Sequence, residues 1–357
     1  MKAVIAIDSF KGCLSSAEAA AAVAEGLAGH DCVVLPVSDG GEGFASVLTA
    51  ALGGQTVNAR VHDPLGREID AEYGLIGDTA VIESAAASGL TLMSPDELDP
   101  LRASSRGTGE LIADAISRGA RDIYVGFGGT GTNDGGKGML EAVEAVRSLW
   151  PKCRFTGLCD VSAPFCGPEG ATAVYGPQKG VKPKQIALLD DRLRVLAEQY
   201  RPIRGRYVLT KPGSGAAGGM AGALWAVLGG ELKHGADAVL DILRFEQHLE
   251  GASLVITGEG RIDAQTLQGK LPAVVARRAR AFSPTLRVIA LTGRNELGIC
   301  NDLTITGMQT SLESLFDNVI QITPPKTAPG RALDPAFARA RLVDAASTLN
   351  RLWSGTL

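Results

Sequence analysis

The chain has 357 residues, 45% hydrophobic and 21% charged, which is enough apolar material for buried cores and leaves no case for disorder. A net charge of -4 with only 5% aromatics argues against a generic nucleic-acid surface or a stacking platform for single strands. No apolar run approaches the roughly 20 residues of a membrane span, and the stretch before Asp8 is too short for a signal-peptide core, so the expectation is a cytoplasmic chain of two domains.

Residues 3–7 form a continuous apolar run ending in Asp8, the pattern of a buried parallel strand. Ser15, with Glu18 three residues on, makes a capping box that opens an alanine-rich helix running to about Leu27. Residues 32–37 read as a second strand, and 42–52 as a second helix closed by Gly53-Gly54. A βαβα opening of this kind implies a doubly wound sheet. The period then changes. Val57, Ala59 and Val61 alternate with polar residues, a turn follows at Asp63-Pro64-Leu65-Gly66, and Ile69, Ala71, Tyr73 and Leu75 alternate in return. Such a meander inside an α/β chain predicts an inserted second domain with a mixed sheet. Strand, loop and helix resume at 122–127, which enters a glycine loop at 128–136 and a helix near 137–149. Residues 254–256 lead to Gly258, and 287–291 end at Thr292-Gly293. A Pro/Gly-rich connector at 324–330 precedes a final helix at about 335–353.

Five glycine-laced clusters punctuate these elements, four of them after β-branched runs: 7–12, 38–43, 128–136, 215–219 and 257–263. Glycine lets backbone approach a ligand, helix N-termini favour anions, and the Asp, Glu and Asn beside them suit a hard cation such as Mg2+. The pattern is that of an enzyme handling phosphates. Asp8, Asp39 and Glu259 fall at or just past predicted strand ends, where open α/β sheets bind ligands. Together with Glu42, Asp134 and Asp263 they would repel one another without a metal or basic contacts. Lys11, Lys179 and Lys270 each adjoin a glycine and are the cations to watch.

Other chemistries find little support. Two segments match GxGxxG, at 126–131 and 213–218, but neither opens the first βα unit and neither leads to the acidic ribose partner of a dinucleotide fold. There is no GxxxxGK[ST] loop, no protein-kinase signature and no GxSxG elbow. His30, His62, His234 and His248 all lie outside the glycine clusters, and the six cysteines match no zinc spacing and read as structural thiols.

With these residues in view, the chain resembles the bacterial type 1 glycerate kinases from end to end. The matching segments are Asp8-Ser9-Phe10-Lys11-Gly12, Asp39-Gly40-Gly41-Glu42-Gly43, Glu83-Ser84-Ala85, Gly107-Thr108-Gly109-Glu110, Thr132-Asn133-Asp134-Gly135-Gly136, Cys159-Asp160-Val161, Gly176-Pro177-Gln178-Lys179-Gly180 and Thr257-Gly258-Glu259-Gly260-Arg261-Ile262-Asp263. Departures are modest: Ile7 stands where proline is usual, and Arg106 where tyrosine is frequent, which bears on selectivity if Arg106 faces the substrate.

The resemblance implies a flavodoxin-like parallel-sheet domain, 1–56 plus about 236–357, interrupted by an α/β domain at about 57–235. It also implies a cleft between the two and phosphorylation of D-glycerate by ATP with Mg2+, with 2-phosphoglycerate as the product associated with the family; the inserted meander by itself predicts hinges near Gly53-Gly54 and within 230–255. Within that expectation Lys11, Asp39 and Asp134 are catalytic, and Asp8, Ser9, Lys179, Arg261 and Lys270 bind substrate or phosphate. Gly128, Gly129, Thr132, Asn133, Gly135 and Gly258 bind nucleotide, and Glu42, Glu259 and Asp263 hold the metal. Partners are small molecules, with no nucleic acid and no membrane, and a homodimer is left open. The rivals are a nucleotide-dependent oxidoreductase using a GxGxxG loop and a non-catalytic sensor on the same fold.

Overall fold

A computed structural model describes residues 1–10, 12–38, 40, 43–263, 266, 269–296 and 315–353. The chain divides into two compact units, Met1–Asp39 with Val239–Leu357, and Gly40–Ala238.

In the first unit, strands β1 (Lys2–Ile7), β2 (Asp31–Val34), β9 (Leu254–Ile262), β10 (Arg287–Asn295) and β11 (Asn318–Gln321) form a wholly parallel sheet in the order β11-β10-β9-β1-β2. Counted within this unit alone, that is the flavodoxin order 2-1-3-4-5, whose direction of winding reverses between β1 and β9. The apolar runs read at 3–7, 254–256 and 287–291 lie in β1, β9 and β10, the run at 32–37 is strand only as far as Val34, and β11 lies outside the runs read; Ile5, Ile7, Leu254, Ile256 and Leu291 are buried in one core. The helix Ser16–Gly26 begins at the predicted capping box: Glu18 N donates to Ser15 Oγ at 3.2 Å, and Ser15 N donates to the Glu18 carboxylate at 2.8 Å. It packs on the final helix, Pro335–Trp353, so closely that a Cβ at Gly26 would lie 2.5 Å from the Val343 carbonyl oxygen.

One strand is longer than its apolar run. β9 continues past Ile256 to Ile262, with Glu259 facing Thr292 and Arg261 facing Arg294 across the ladder to β10. Glu259 therefore lies within a strand, not in a loop beyond one. Gly258-Glu259-Gly260-Arg261 has poor strand propensity, and pairing with β10 overrides it.

In the second unit, β3 (Gln55–His62), β4 (Glu68–Ile76), β5 (Thr79–Glu83), β6 (Asp122–Gly126), β7 (Arg154–Leu158) and β8 (Glu231–Lys233) form a sheet in chain order. The first two pairings are antiparallel, as the meander predicted, and the rest are parallel, so the sheet is mixed. The helix Phe44–Ala51 belongs to this unit. The Phe44 ring would lie 2.5 Å from a Cβ at Gly126 of β6, and Thr49 Oγ1 would lie 1.8 Å from a Cβ at Gly74 of β4. Its apolar face thus goes to the mixed sheet, although the sequence pattern alone places the changeover after this helix, at 56. The helix expected near 137–149 ends at Val143 and gives way to 3-10 turns over Glu144–Lys152, interrupted at Val146.

Candidate active site

The switch point of the parallel sheet gathers charge. Asp8 directly follows β1 and β9 carries Glu259, and each is only 7% exposed. Asp8 N donates to the Gly258 carbonyl at 2.9 Å, and Ser9 N donates to Asp8 Oδ1 at 2.7 Å. Gly258 has no room for a side chain, since a Cβ there would lie 2.0 Å from the Leu291 carbonyl oxygen. Its glycine is explained by strand contact rather than by a nucleotide. Glu259 accepts from Thr266 Oγ1 at 2.6 Å and from Lys270 Nζ at 3.5 Å. Lys270 is also 3.6 Å from Asp263 Oδ1, and Arg261 Nε is 3.3 Å from Asp263 Oδ2. Burial pushes the Glu259 carboxyl above its ordinary range, while Thr266 and Lys270 pull it down. Lys270 is positioned by its place at the N-cap of the helix Leu271–Phe282, in extended backbone just before Pro272.

These side chains face a cavity of about 710 Å³ that spreads along the C-terminal ends of β1, β9, β10 and β11. Asp8, Ser9, Glu259, Arg261 and Lys270 come from the β1 and β9 side, Arg294 from β10, and Ile322, Pro324 and Pro325 from the turn after β11. An open α/β sheet binds ligands at this place.

The second unit holds the glycine loop that follows β6, and here the side chains serve the loop itself. The Asp134 carboxylate accepts from Ser105 N and Ser105 Oγ at 2.8 Å each, from Gly136 N at 3.0 Å and from Gly138 N at 3.1 Å. Four donors satisfy it and close the N-terminus of the helix Lys137–Val143, so that end is capped from within. Lys179 lies behind the loop, 2% exposed, and its Nζ donates to the Thr132 carbonyl at 2.8 Å and to Thr130 Oγ1 at 3.4 Å. Burial pulls the Lys179 pKa down to about 8, with Asp134 acting in the opposite direction. Thr132 and Asn133 are buried, and Gly135 N donates to the Gly218 carbonyl at 2.9 Å. Gly128 and Gly129 are exposed.

The 213–218 glycine run is packing. Cβ atoms at Gly215 and Gly218 would lie 2.2 Å from the Pro164 carbonyl oxygen and 2.1 Å from that of Thr132, so this segment presses backbone to backbone against the first loop.

The structure thus brings Asp8, Ser9, Glu259, Arg261, Asp263 and Lys270 together in the first unit. It groups Thr132, Asn133, Asp134, Gly135 and Lys179 in the second. Lys11, Asp39 and Glu42 lie outside the described residues. Arg106 turns onto its own helix, with Nε 2.7 Å from Glu110, which also accepts from His62 N at 2.8 Å and pairs with His62 Nδ1 at 2.9 Å. Glu83 gains a role that motif reading did not assign: its carboxylate accepts from Gly43 N at 3.1 Å and Ala45 N at 3.0 Å, capping the helix Phe44–Ala51. Gly43 has no side chain to cap with, which was the available signal. Arg294 and the 322–325 turn were also missed, because they lie outside every glycine cluster. Among the described residues no helix is long and apolar enough to cross a membrane.

Comparison with known proteins agrees with this arrangement. The Glycerate kinase family model matches residues 3–148 and 142–353. The chain is 40% identical over 348 residues to the Glycerate 2-kinase of Escherichia coli strain K12, covering 88% of this chain and 91% of that protein. It is also 40% identical over 326 residues to the Glycerate kinase of Bacillus subtilis strain 168, covering 82% and 85%. A crystal structure from Salmonella typhimurium LT2, assigned provisionally as glycerate kinase 2, superposes with a TM-score of 0.86 at 36% identity, covering 100% of this chain and 99% of that one. With cations beside buried carboxylates at the switch point of a flavodoxin-type sheet, and with such relatives matching most of its length, the chain belongs to the glycerate kinase family, phosphotransferases that act on glycerate.

Proposed function

We propose that the chain transfers the γ-phosphoryl group of ATP to the 2-hydroxyl of D-glycerate, giving 2-phospho-D-glycerate and ADP. The observation that carries the reading is the pairing of two buried carboxylates, Asp8 and Glu259, with Lys270 and Arg261 around one cavity at the sheet's switch point. The choice of the 2-hydroxyl follows the relative named for it.

Phosphoryl transfer asks little covalent chemistry of a protein; it needs cations on the migrating charge, positioning, and a base for the acceptor hydroxyl. Lys270 and Arg261 supply cations, and Lys11 is proposed as a third from its motif alone. Asp39 takes the proton as the hydroxyl oxygen bonds to the γ-phosphorus and the bond to the ADP oxygen breaks. The donor set suits Mg2+: Asp8 and Glu259 bring oxygen ligands to one cavity, and Mg2+ is usually held by one or two carboxylates with water and substrate phosphates. When bound, Mg2+ neutralises charge on the triphosphate. Glu42 is proposed for the same ion from its motif alone. In the second unit Gly128 and Gly129 leave exposed backbone in the glycine loop after β6. Asp134, Lys179, Thr132, Asn133 and Gly135 hold that loop in shape. The Asp134 carboxylate, with four donors already on it, is committed to that loop.

A coupled ADP-release assay with ATP and D-glycerate, followed by NMR of the product, tests the reading. ADP release that depends on glycerate, with phosphate on the 2-oxygen, is expected. Phosphate on the 3-oxygen would overturn the regiochemistry, and no glycerate-dependent turnover, with tight NADH binding instead, would revive the oxidoreductase.

A further inference from the structure

We infer that the cavity of the parallel-sheet unit is the nucleoside pocket, with the base of the triphosphate lying against Ile322, Pro324, Pro325 and Leu333. This rests on the kinase reading and deepens it by saying which substrate occupies which part of the site.

Size is the first argument. At about 710 Å³ the cavity lies in the range of pockets for drug-sized ligands, and a three-carbon acid would leave most of it wet. Its chemistry is also graded along the sheet edge. The carboxylates and most of the cations come from the β1, β9 and β10 side, whereas the wall beyond β11 sets Ile322, Pro324, Pro325 and Leu333 beside Thr323, Thr327 and a single charge, Lys326. Glycerate has no apolar face to match that wall. A nucleoside triphosphate has a flat, weakly polar base at one end and an anionic chain at the other, in the order the cavity presents them. The phosphates would then run toward Arg294, Arg261 and Lys270.

The apolar wall is also preorganised. Ile322 N donates to the Thr292 carbonyl at 2.8 Å, and Arg341 Nε from the last helix holds the Ile322 carbonyl at 2.9 Å. Gln321 Nε2 donates to the Thr323 carbonyl at 2.7 Å while its Oε1 accepts from Asn295 N at 2.9 Å, tying the turn to β10. Thr327 Oγ1 donates to the Pro324 carbonyl at 2.8 Å, closing the turn. Lys326, a non-glycine residue at φ 68°, completes it in left-handed backbone, a strained conformation kept only where its surroundings impose it. A rigid turn of two prolines presents a flat surface without an ordering penalty when a base lands on it. Leu333 beside it is 53% exposed, an apolar side chain that a base would cover.

The test uses the full-length protein with Leu333→Asp and, separately, Ala332→Trp, which fills the cavity from its rim. Calorimetric titrations in Mg2+ compare a non-hydrolysable ATP analogue with inorganic tripolyphosphate, and steady-state assays give KM for D-glycerate. The expected result is a loss of at least tenfold in affinity for the analogue. Tripolyphosphate affinity and the glycerate KM should stay within about twofold of the parent. Analogue affinity within twofold of the parent in both variants overturns the assignment, and so does an equal loss of tripolyphosphate and analogue. If Leu333→Asp fails to fold by circular dichroism, Ala332→Trp decides the matter. A parent that turns over glycerate while the variants keep the analogue refutes the pocket alone. A parent that binds no analogue refutes the kinase reading beneath it.

Discussion

Replacing Lys179 with methionine isolates what a buried ammonium costs this fold. The side chain is 2% exposed, and burial takes its pKa from 10.5 to about 8, partly opposed by Asp134. That difference corresponds to about 3 kcal/mol of penalty while the lysine is protonated in both folded and unfolded chains. The folded state sheds its proton near pH 8 and the unfolded state near 10.5, so the penalty is complete below pH 8 and is relieved as pH rises through this window. Between pH 7 and pH 10 the parent should therefore gain about 2–3 kcal/mol on Lys179→Met, because other titrating groups cancel in the comparison. At neutral pH the variant escapes the penalty but leaves the Thr132 carbonyl without its charged donor, a loss of about 1.5–3 kcal/mol, so the two should unfold at similar urea concentrations. Any fall in its turnover at pH 7 would then come from a loosened glycine loop and not from unfolding. Urea titrations of both proteins in steps from pH 7 to pH 10 provide the measurement. Parallel stability curves over that range would show that Lys179 is not a buried cation, and the placement of the loop over it would be wrong.

Gly218→Ala should destabilise by about 3 kcal/mol or more, since its φ is 64° and the added Cβ meets the Thr132 carbonyl, whereas Gly128→Ala, with open space around it, should melt within about 1 kcal/mol of the parent. Equal melting temperatures for the two would contradict the backbone contact. Glu83→Ala should lower stability by about 1–2 kcal/mol through loss of the cap on the helix Phe44–Ala51, read by thermal unfolding, and Glu83→Gln by less. Lys270→Met should cut kcat/KM by roughly a hundredfold or more and move the acid limb of the pH–rate profile upward, because Glu259 would lose the cation that lowers its pKa. A profile unchanged in position would remove Glu259 from the active site.

Local signals carried far in this chain where the structure depends on neighbours in sequence. The strand 3–7, the capping box at Ser15 and Glu18, the 63–66 turn and the final helix are all contained within a few residues, and each is present. Glu259 was harder to place, because Gly258-Glu259-Gly260-Arg261 has loop composition and becomes strand only by pairing with β10. Lys179 and Asp134 look alike in sequence, each a charge beside glycine, and both turn inward to hold a loop. Such a role depends on Ser105, Thr130 and Thr132 arriving from elsewhere in the chain.

By itself the sequence determined the opening βαβα elements, the meander, the final helix, the mixed and parallel character of the two sheets, the motif set of the family and the identity of the charged groups, because periodicity, capping and glycine punctuation act over short range. Tertiary structure alone decided which charges share a cavity and which are structural. It also decided that the helix Phe44–Ala51 joins the mixed sheet, that the 213–218 glycines serve backbone contact, and that the wall after β11 faces Asp8 and Glu259. The physical reason is burial. A carboxylate or an ammonium has no function until its desolvation and its partners are known, and those come from residues far apart in the chain.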